Sequence, residues 1–93
     1  MESKVRAYVV VTGQVQGVYF RYATKEEASM RGVKGWVRNR RDGAVEMVFE
    51  GEKAKVEELI DFCHRGPPSA KVSSVKVIWE DYTGQFKDFS IRY

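Results

Sequence analysis

The chain has 93 residues, of which 43% are hydrophobic and 31% charged, with a net charge of +3. A chain of this length holds one domain with a modest core, the balance excludes a disordered or low-complexity protein, and the charge favours anionic partners while staying small for a dedicated nucleic-acid binder. The single cysteine, Cys63, excludes an internal disulfide or a Cys-x-x-Cys metal pair, and Met1-Glu2-Ser3-Lys4 lacks an apolar signal core, so one soluble cytoplasmic domain over residues 1–93 is expected, with no membrane partner.

Val5, Ala7, Val9 and Val11 alternate with Lys4, Arg6, Tyr8 and Val10, the period of two of a strand with one apolar face. The segment Gly13-Gln14-Val15-Gln16-Gly17-Val18-Tyr19-Phe20-Arg21 joins this strand to a helix-like run through two glycines and ends in arginine. Glycine lets main-chain N–H groups turn inward toward an anion, and the helix that follows adds its positive end, so the loop predicts a backbone cradle for a phosphate. Arg21, on the first helical turn, can grip two phosphate oxygens at once. The helix is predicted over Arg21 to Arg31 and closed by Gly32, with a sparse apolar stripe of Ala23, Ala28 and Met30.

Lys34 to Arg40 and Ala44 to Glu50 flank Arg41-Asp42-Gly43, and an Asp-Gly pair between alternating runs predicts a hairpin. From Glu52 to Arg65, Val56, Leu59, Ile60 and Cys63 fall on one helix face, and Gly66-Pro67-Pro68 ends that helix. Cys63 on this stripe reads as a buried structural thiol, and His64 as a cation suited to the helix end. Val72, Val75, Val77 and Trp79 predict a strand whose phase breaks at Ser73-Ser74, and Phe89, Ile91 and Tyr93 a last short one.

The order is β-α-β-β-α-β with an additional short C-terminal strand. Its simplest packing is an α+β ferredoxin-like sandwich, one antiparallel sheet with two helices on one face. Strands one and two then run the same way with strand three between them, so the glycine loop and Asn39 leave the same rim, separated by two strand spacings, roughly 10 Å. By parity Asn39 shares a face with Gly35 and Val37. If Val37 faces the helices with Val45, Met47 and Phe49, Asn39 points at the start of the first helix. The fold is therefore expected to bring Arg21 and Asn39 together.

The run from Gly13 to Arg21, followed by Gly35-Trp36-Val37-Arg38-Asn39, resembles the signature pair of the acylphosphatase family. The likeness extends to the Asp42-Gly43 turn, the Val45-Glu46 pair, Gly66-Pro67-Pro68 and the aromatic C-terminal strand. It implies hydrolysis of small-molecule acyl phosphates to a carboxylate and inorganic phosphate, with Arg21 as the phosphate-binding arginine and Asn39 as the water-positioning asparagine. One departure is Arg31, where relatives commonly carry an apolar residue, and it bears on packing.

The leaving carboxylate of an acyl phosphate has a pKa near ~4–5, so no general acid is required. Phosphoryl transfer through a loose transition state asks for positioning and for charge stabilisation, so neither a metal nor another cofactor is expected. The expected site places the backbone N–H groups of Gln16, Gly17, Val18, Tyr19, Phe20 and Arg21 and the Arg21 side chain on the phosphate, while Asn39 orients the attacking water. Inorganic phosphate is then product and competitive inhibitor, and a monomer is the expected state.

Two other uses of the fold fit these residues less well. An RNA-binding module needs stacking aromatics on its third strand, where Ala44 to Phe49 offers one aromatic and Glu46. A non-catalytic phosphate-binding domain would have no need to keep both Arg21 and Asn39. Arg38, Arg40 and Arg41 read as a solvated hairpin end, outside the site.

Overall fold

Side-chain alternation on the central strands decides which face of the sheet the helices cover. The computed structural model describes residues 3–93, so Met1-Glu2, part of the start read above as unsignalled, lie outside the described residues. Its elements are β1 (Lys4–Gln14), α1 (Phe20–Met30), β2 (Lys34–Asn39), β3 (Val45–Glu52), α2 (Lys53–Arg65), β4 (Lys71–Glu80) and β5 (Phe89–Arg92). They form one five-stranded sheet in the order β4-β1-β3-β2-β5. β3 lies antiparallel between β1 and β2, with Val9 and Val37 both opposite Met47, and Val11 and Asn39 both opposite Val45. Ala7, Val9, Val11, Val37, Val45, Met47 and Phe49 thereby fall on one face and are fully buried with Phe20, Ala28, Val56, Leu59 and Cys63. The ferredoxin-like sandwich is the observed fold.

Two details differ from the sequence reading. β5 pairs parallel to β2, so the sheet is mixed rather than wholly antiparallel. The chain reaches β5 from the opposite edge, and a strand arriving that way can run beside β2 in the same direction. In α1 the buried stripe is Phe20, Thr24 and Ala28, while Met30 is exposed. The helix begins one residue earlier than expected, and Phe20, packed near Phe62 at a ring distance of 6.2 Å, sets its rotation. Trp79 lies in β4 as expected, opposite Ala7, and is half exposed because β4 is an edge strand.

The phase break at Ser73-Ser74 is a β-bulge. Thr12 lies opposite Ser74 and Gly13 opposite Val72, which leaves Ser73 without a partner. Gly13 takes φ +122° there, and a Cβ on it would come within 2.3 Å of the Lys71 carbonyl oxygen. Cys63 is buried with its Sγ 3.7 Å from Met47 Sδ, and burial pushes its thiol up. Arg31 joins the helices, its Nη1 2.6 Å from Glu27 and its Nε 3.1 Å from Glu58. That pairing gives Arg31 a role in packing, bridging the two helices.

The connection from β4 to β5 crosses the helix-free face, and a buried carboxylate holds it there. Glu50, 2% exposed, accepts from Thr83 N at 2.9 Å, Thr83 Oγ1 at 2.8 Å, Gly84 N at 3.0 Å and Arg6 Nη1 at 3.0 Å. Burial alone would raise the Glu50 carboxyl, but the donors from Thr83, Arg6 and Gly84 outweigh it and hold the group below its ordinary value. Glu46, bonded to the Tyr8 hydroxyl and to Arg38, is depressed in the same way against its own burial. A carboxyl depressed in the folded state stabilises above its unfolded value of about 4.3, and that stability is lost as pH falls through the folded value. The midpoint of urea unfolding should therefore fall between pH 6 and pH 3. Glu50→Gln should flatten that drop and cost roughly 3 kcal/mol at pH 6, as expected when a buried charged network loses one member.

Candidate active site

α1 starts without a side-chain cap, and the residue at its N-cap position, Tyr19, is left-handed at φ 73°, ψ 13°. It is the only non-glycine residue with positive φ among the described residues. An L-residue in that region costs about 1–2 kcal/mol, so the fold holds a strained conformation here. Gly17, two residues earlier, takes φ +74°. Left-handed residues on either side of Val18 curl the chain so that successive N–H groups face the inside of the curve. Among the described residues, no backbone carbonyl or side chain accepts from the N–H groups of Gln16 to Arg21, and the first bond of the helix runs from Ala23 N to Tyr19 O at 3.0 Å. The first turn also carries no acidic side chain to balance the positive end of the helix.

Arg21 projects from this turn, half-buried, and no carboxylate pairs with it among the described residues. Its guanidinium lies 5.0 Å from the centre of the Tyr93 ring. Because β5 runs parallel to β2 with Arg92 opposite Arg38, the chain places Tyr93 beside the end of β2, where Asn39 sits. The Tyr22 hydroxyl beside it raises the Tyr93 phenol above its ordinary value, and the Arg21 charge pulls the other way.

Asn39 lies on the helix side of the sheet, as the alternation required. Its Oδ1 is buried with no hydrogen-bond partner. Val15, Gly17, Tyr19, Phe20, Arg21, Tyr22 and Asn39 line a single cleft of about 220 Å³, so Arg21, Asn39 and most of the predicted loop share one cavity. A groove of about 520 Å³ adjoins it, lined by Arg38, Asn39, Arg40, Arg41, Asp42 and Tyr93.

Gln16 departs from the expected pattern in its side chain. Its Nε2 donates to Arg40 O at 2.7 Å and to Ala44 O at 2.9 Å, which ties the loop to the hairpin directly after Asn39. Val18 is half-buried against the core, and Phe20 is buried in it, so both can face an anion only through their backbone. Tyr19 and Tyr22 are exposed and stacked at 5.1 Å. Tyr22 and Tyr93 were missed as site residues. The signal for Tyr93 would have been the direction of β5, which periodicity does not give.

An uncapped helix start, an arginine without an acidic partner among the described residues and an unpartnered amide are thus gathered at one rim of a ferredoxin-like α+β sheet. The acylphosphatase family model matches residues 7–91. The chain is 56% identical over 91 residues to the acylphosphatase of Pelotomaculum thermopropionicum, covering 98% of this chain and 99% of that one. It is 52% identical over 93 residues to the acylphosphatase of Anaeromyxobacter sp., with both chains covered in full. The crystal structure of acylphosphatase from Bacillus subtilis superposes with a TM-score of 0.92 at 36% identity, covering 96% of this chain and 99% of that one. The chain belongs to the acylphosphatase family, whose function is hydrolysis of acyl phosphates.

The Gln16 clamp is testable by stability. Gln16→Glu replaces a donor by a carboxylate facing two carbonyl oxygens, so both acceptors and the new charge go unsatisfied. The variant should lose about 2 kcal/mol of unfolding free energy, seen as a lower urea midpoint with unchanged slope.

Proposed function

We propose that this chain is a cofactor-independent acyl phosphate hydrolase in which the backbone of residues 16–21 and the Arg21 side chain hold the phosphate and Asn39 orients the water. The observation that carries this reading is the concentration of unpaired donors, amides and guanidinium, in the same cleft as the Asn39 amide. Those donors are already fixed before substrate arrives, so little reorganisation is required as charge builds on the equatorial oxygens. The water oxygen bonds to phosphorus as the bond from phosphorus to the acyl oxygen breaks. The carboxylate departs with the electron pair, and the water's proton ends on the phosphate product.

Asn39 has little basicity and acts by geometry. Its Oδ1 is turned inward and bonded to nothing among the described residues. Turning the amide half a turn breaks no bond at Oδ1 and presents an acceptor to a water, which leaves a lone pair on that water free to face phosphorus.

The remaining parts of the reading are one domain over 1–93, a monomeric state and a cytoplasmic location. The buried reduced Cys63 favours a reducing compartment, and among the described residues no helix is long and apolar enough to cross a membrane. On the helix-free face β3 presents Glu46, Val48 and Glu50 rather than stacking aromatics, which argues against a nucleic-acid partner.

Benzoyl phosphate hydrolysis in the presence of a chelator tests the central reading, and full turnover is expected. Asn39→Ala should lower kcat by about 10²–10³ while unfolding at the same urea concentration as the native protein or higher, because the lost carbonyl has no bond to give up. Arg21→Ala should also raise KM. Inorganic phosphate should inhibit the native enzyme competitively and lose most of that effect on Arg21→Ala. Near-native turnover by either folded variant removes that residue from the mechanism.

A further inference from the structure

Exposure changes in one direction across the cleft. Val15 and Phe20 are 1% and 2% exposed, and Asn39 is half-buried with no solvent contact at Oδ1, whereas Tyr19 is 68% and Tyr22 46% exposed. Asn39, with its Oδ1 turned inward, therefore stands on the buried side of the cleft, where the neighbouring groove begins, and the two tyrosines stand at its mouth. An in-line displacement sets the attacking and leaving oxygens on opposite sides of phosphorus. If the water is held at Asn39, the acyl oxygen must point away from it, toward the mouth. The arginine-rich groove, which shares Asn39 as a wall, lies on the side of the incoming water.

The two rings at the mouth are organised rather than merely exposed. Their centroids are 5.1 Å apart with planes inclined by 28°, a stacked arrangement. Tyr19 stands at the left-handed turn of the cradle itself, so its Cα is placed by the same backbone that carries the loop N–H groups, and its ring rests on Tyr22. A third flat group can extend such a stack and withdraw apolar surface from water, whereas a methyl group finds little to cover.

From this arrangement, which rests on the roles proposed for Arg21 and Asn39, we infer that Tyr19 and Tyr22 form the platform for the acyl group. The enzyme accordingly favours acyl phosphates with an aromatic or extended apolar acyl group over those with a short one.

The test compares kcat and KM for benzoyl phosphate and acetyl phosphate in the native enzyme, Tyr22→Ala and Tyr22→Phe. Tyr22→Ala should raise KM for benzoyl phosphate about tenfold with kcat unchanged, and so lower the benzoyl-to-acetyl ratio of kcat/KM by about that factor. Tyr22→Phe, which keeps the ring, should behave as the native enzyme. An unchanged benzoyl-to-acetyl ratio of kcat/KM in Tyr22→Ala overturns the platform while the cradle stands. An equal loss on both substrates also overturns it, because Tyr22 would then act through Tyr93 on Arg21. A third arm uses an acyl phosphate bearing a second carboxylate. A higher kcat/KM for it, abolished by Arg41→Ala, would seat the acyl group in the arginine groove and overturn the assignment. A native enzyme inactive on every acyl phosphate would instead remove the underlying reading, and this inference with it.

Discussion

Hydrogen-bond donors held without acceptors are the constraint around which the molecule is arranged. The backbone N–H groups of residues 16–21 have no protein acceptor among the described residues, Arg21 lines the same cleft as Gly17, Tyr19 and Phe20, and leaving such groups unpaired is costly wherever water is scarce. Every neighbouring feature serves to keep them in place. Gly17 and Tyr19 take left-handed backbone conformations, the Gln16 amide fastens the loop to the Arg40 and Ala44 carbonyls, and Phe20 roots the first turn in the core. An oxyanion would supply the missing acceptors, which is the arrangement that the proposed function requires.

The rest of the fold supplies rigidity by more ordinary means, and it divides the labour between the two faces of the sheet. The helix side carries the apolar rows of β1, β3 and β2, and these rows end at Val11, Val45 and Asn39. The last position of the row is thus polar where its neighbours are aliphatic, and its carbonyl is left without a partner. The opposite face is organised by the two buried carboxylates of β3, Glu46 and Glu50, whose partners on β1, β2 and the β4 to β5 connection make a fully satisfied polar network. Satisfied charge on one face and unsatisfied donors at the rim of the other separate what stabilises this protein from what it does.

Particular residues show why some of this was legible beforehand. The alternation of Val5, Ala7, Val9 and Val11 against the Val45, Met47, Phe49 row gave both the strands and the facing of Asn39, because a period of two leaves one choice of side once a helix must be covered. The glycine spacing announced a tight turn before α1, since φ near +74° at Gly17 is open chiefly to glycine. The α1 stripe was misjudged for the opposite reason. Short helices of small and polar residues have almost no periodic signal, and their rotation was set by one phenylalanine meeting another from α2. The left-handed Tyr19 carried no signal at all, as tyrosine has no preference for that conformation and adopts it only when the surroundings impose it.

The order of local patterns in the chain was thus enough to determine the element sequence, the pairing of β1, β3 and β2, the apolar face and the juxtaposition of the glycine loop with Asn39. These depend on short-range periodicity and on chain connectivity, both written in consecutive residues. Contacts between segments far apart in the chain decided the parallel docking of β5 that brings Tyr93 against Arg21, the pinning of Thr83 and Gly84 on Glu50, the turn of the Gln16 amide toward the hairpin and the stacking of Tyr19 on Tyr22. Each of these is one side chain choosing among several partners, and that choice has no energy until the partners have been packed into the same place.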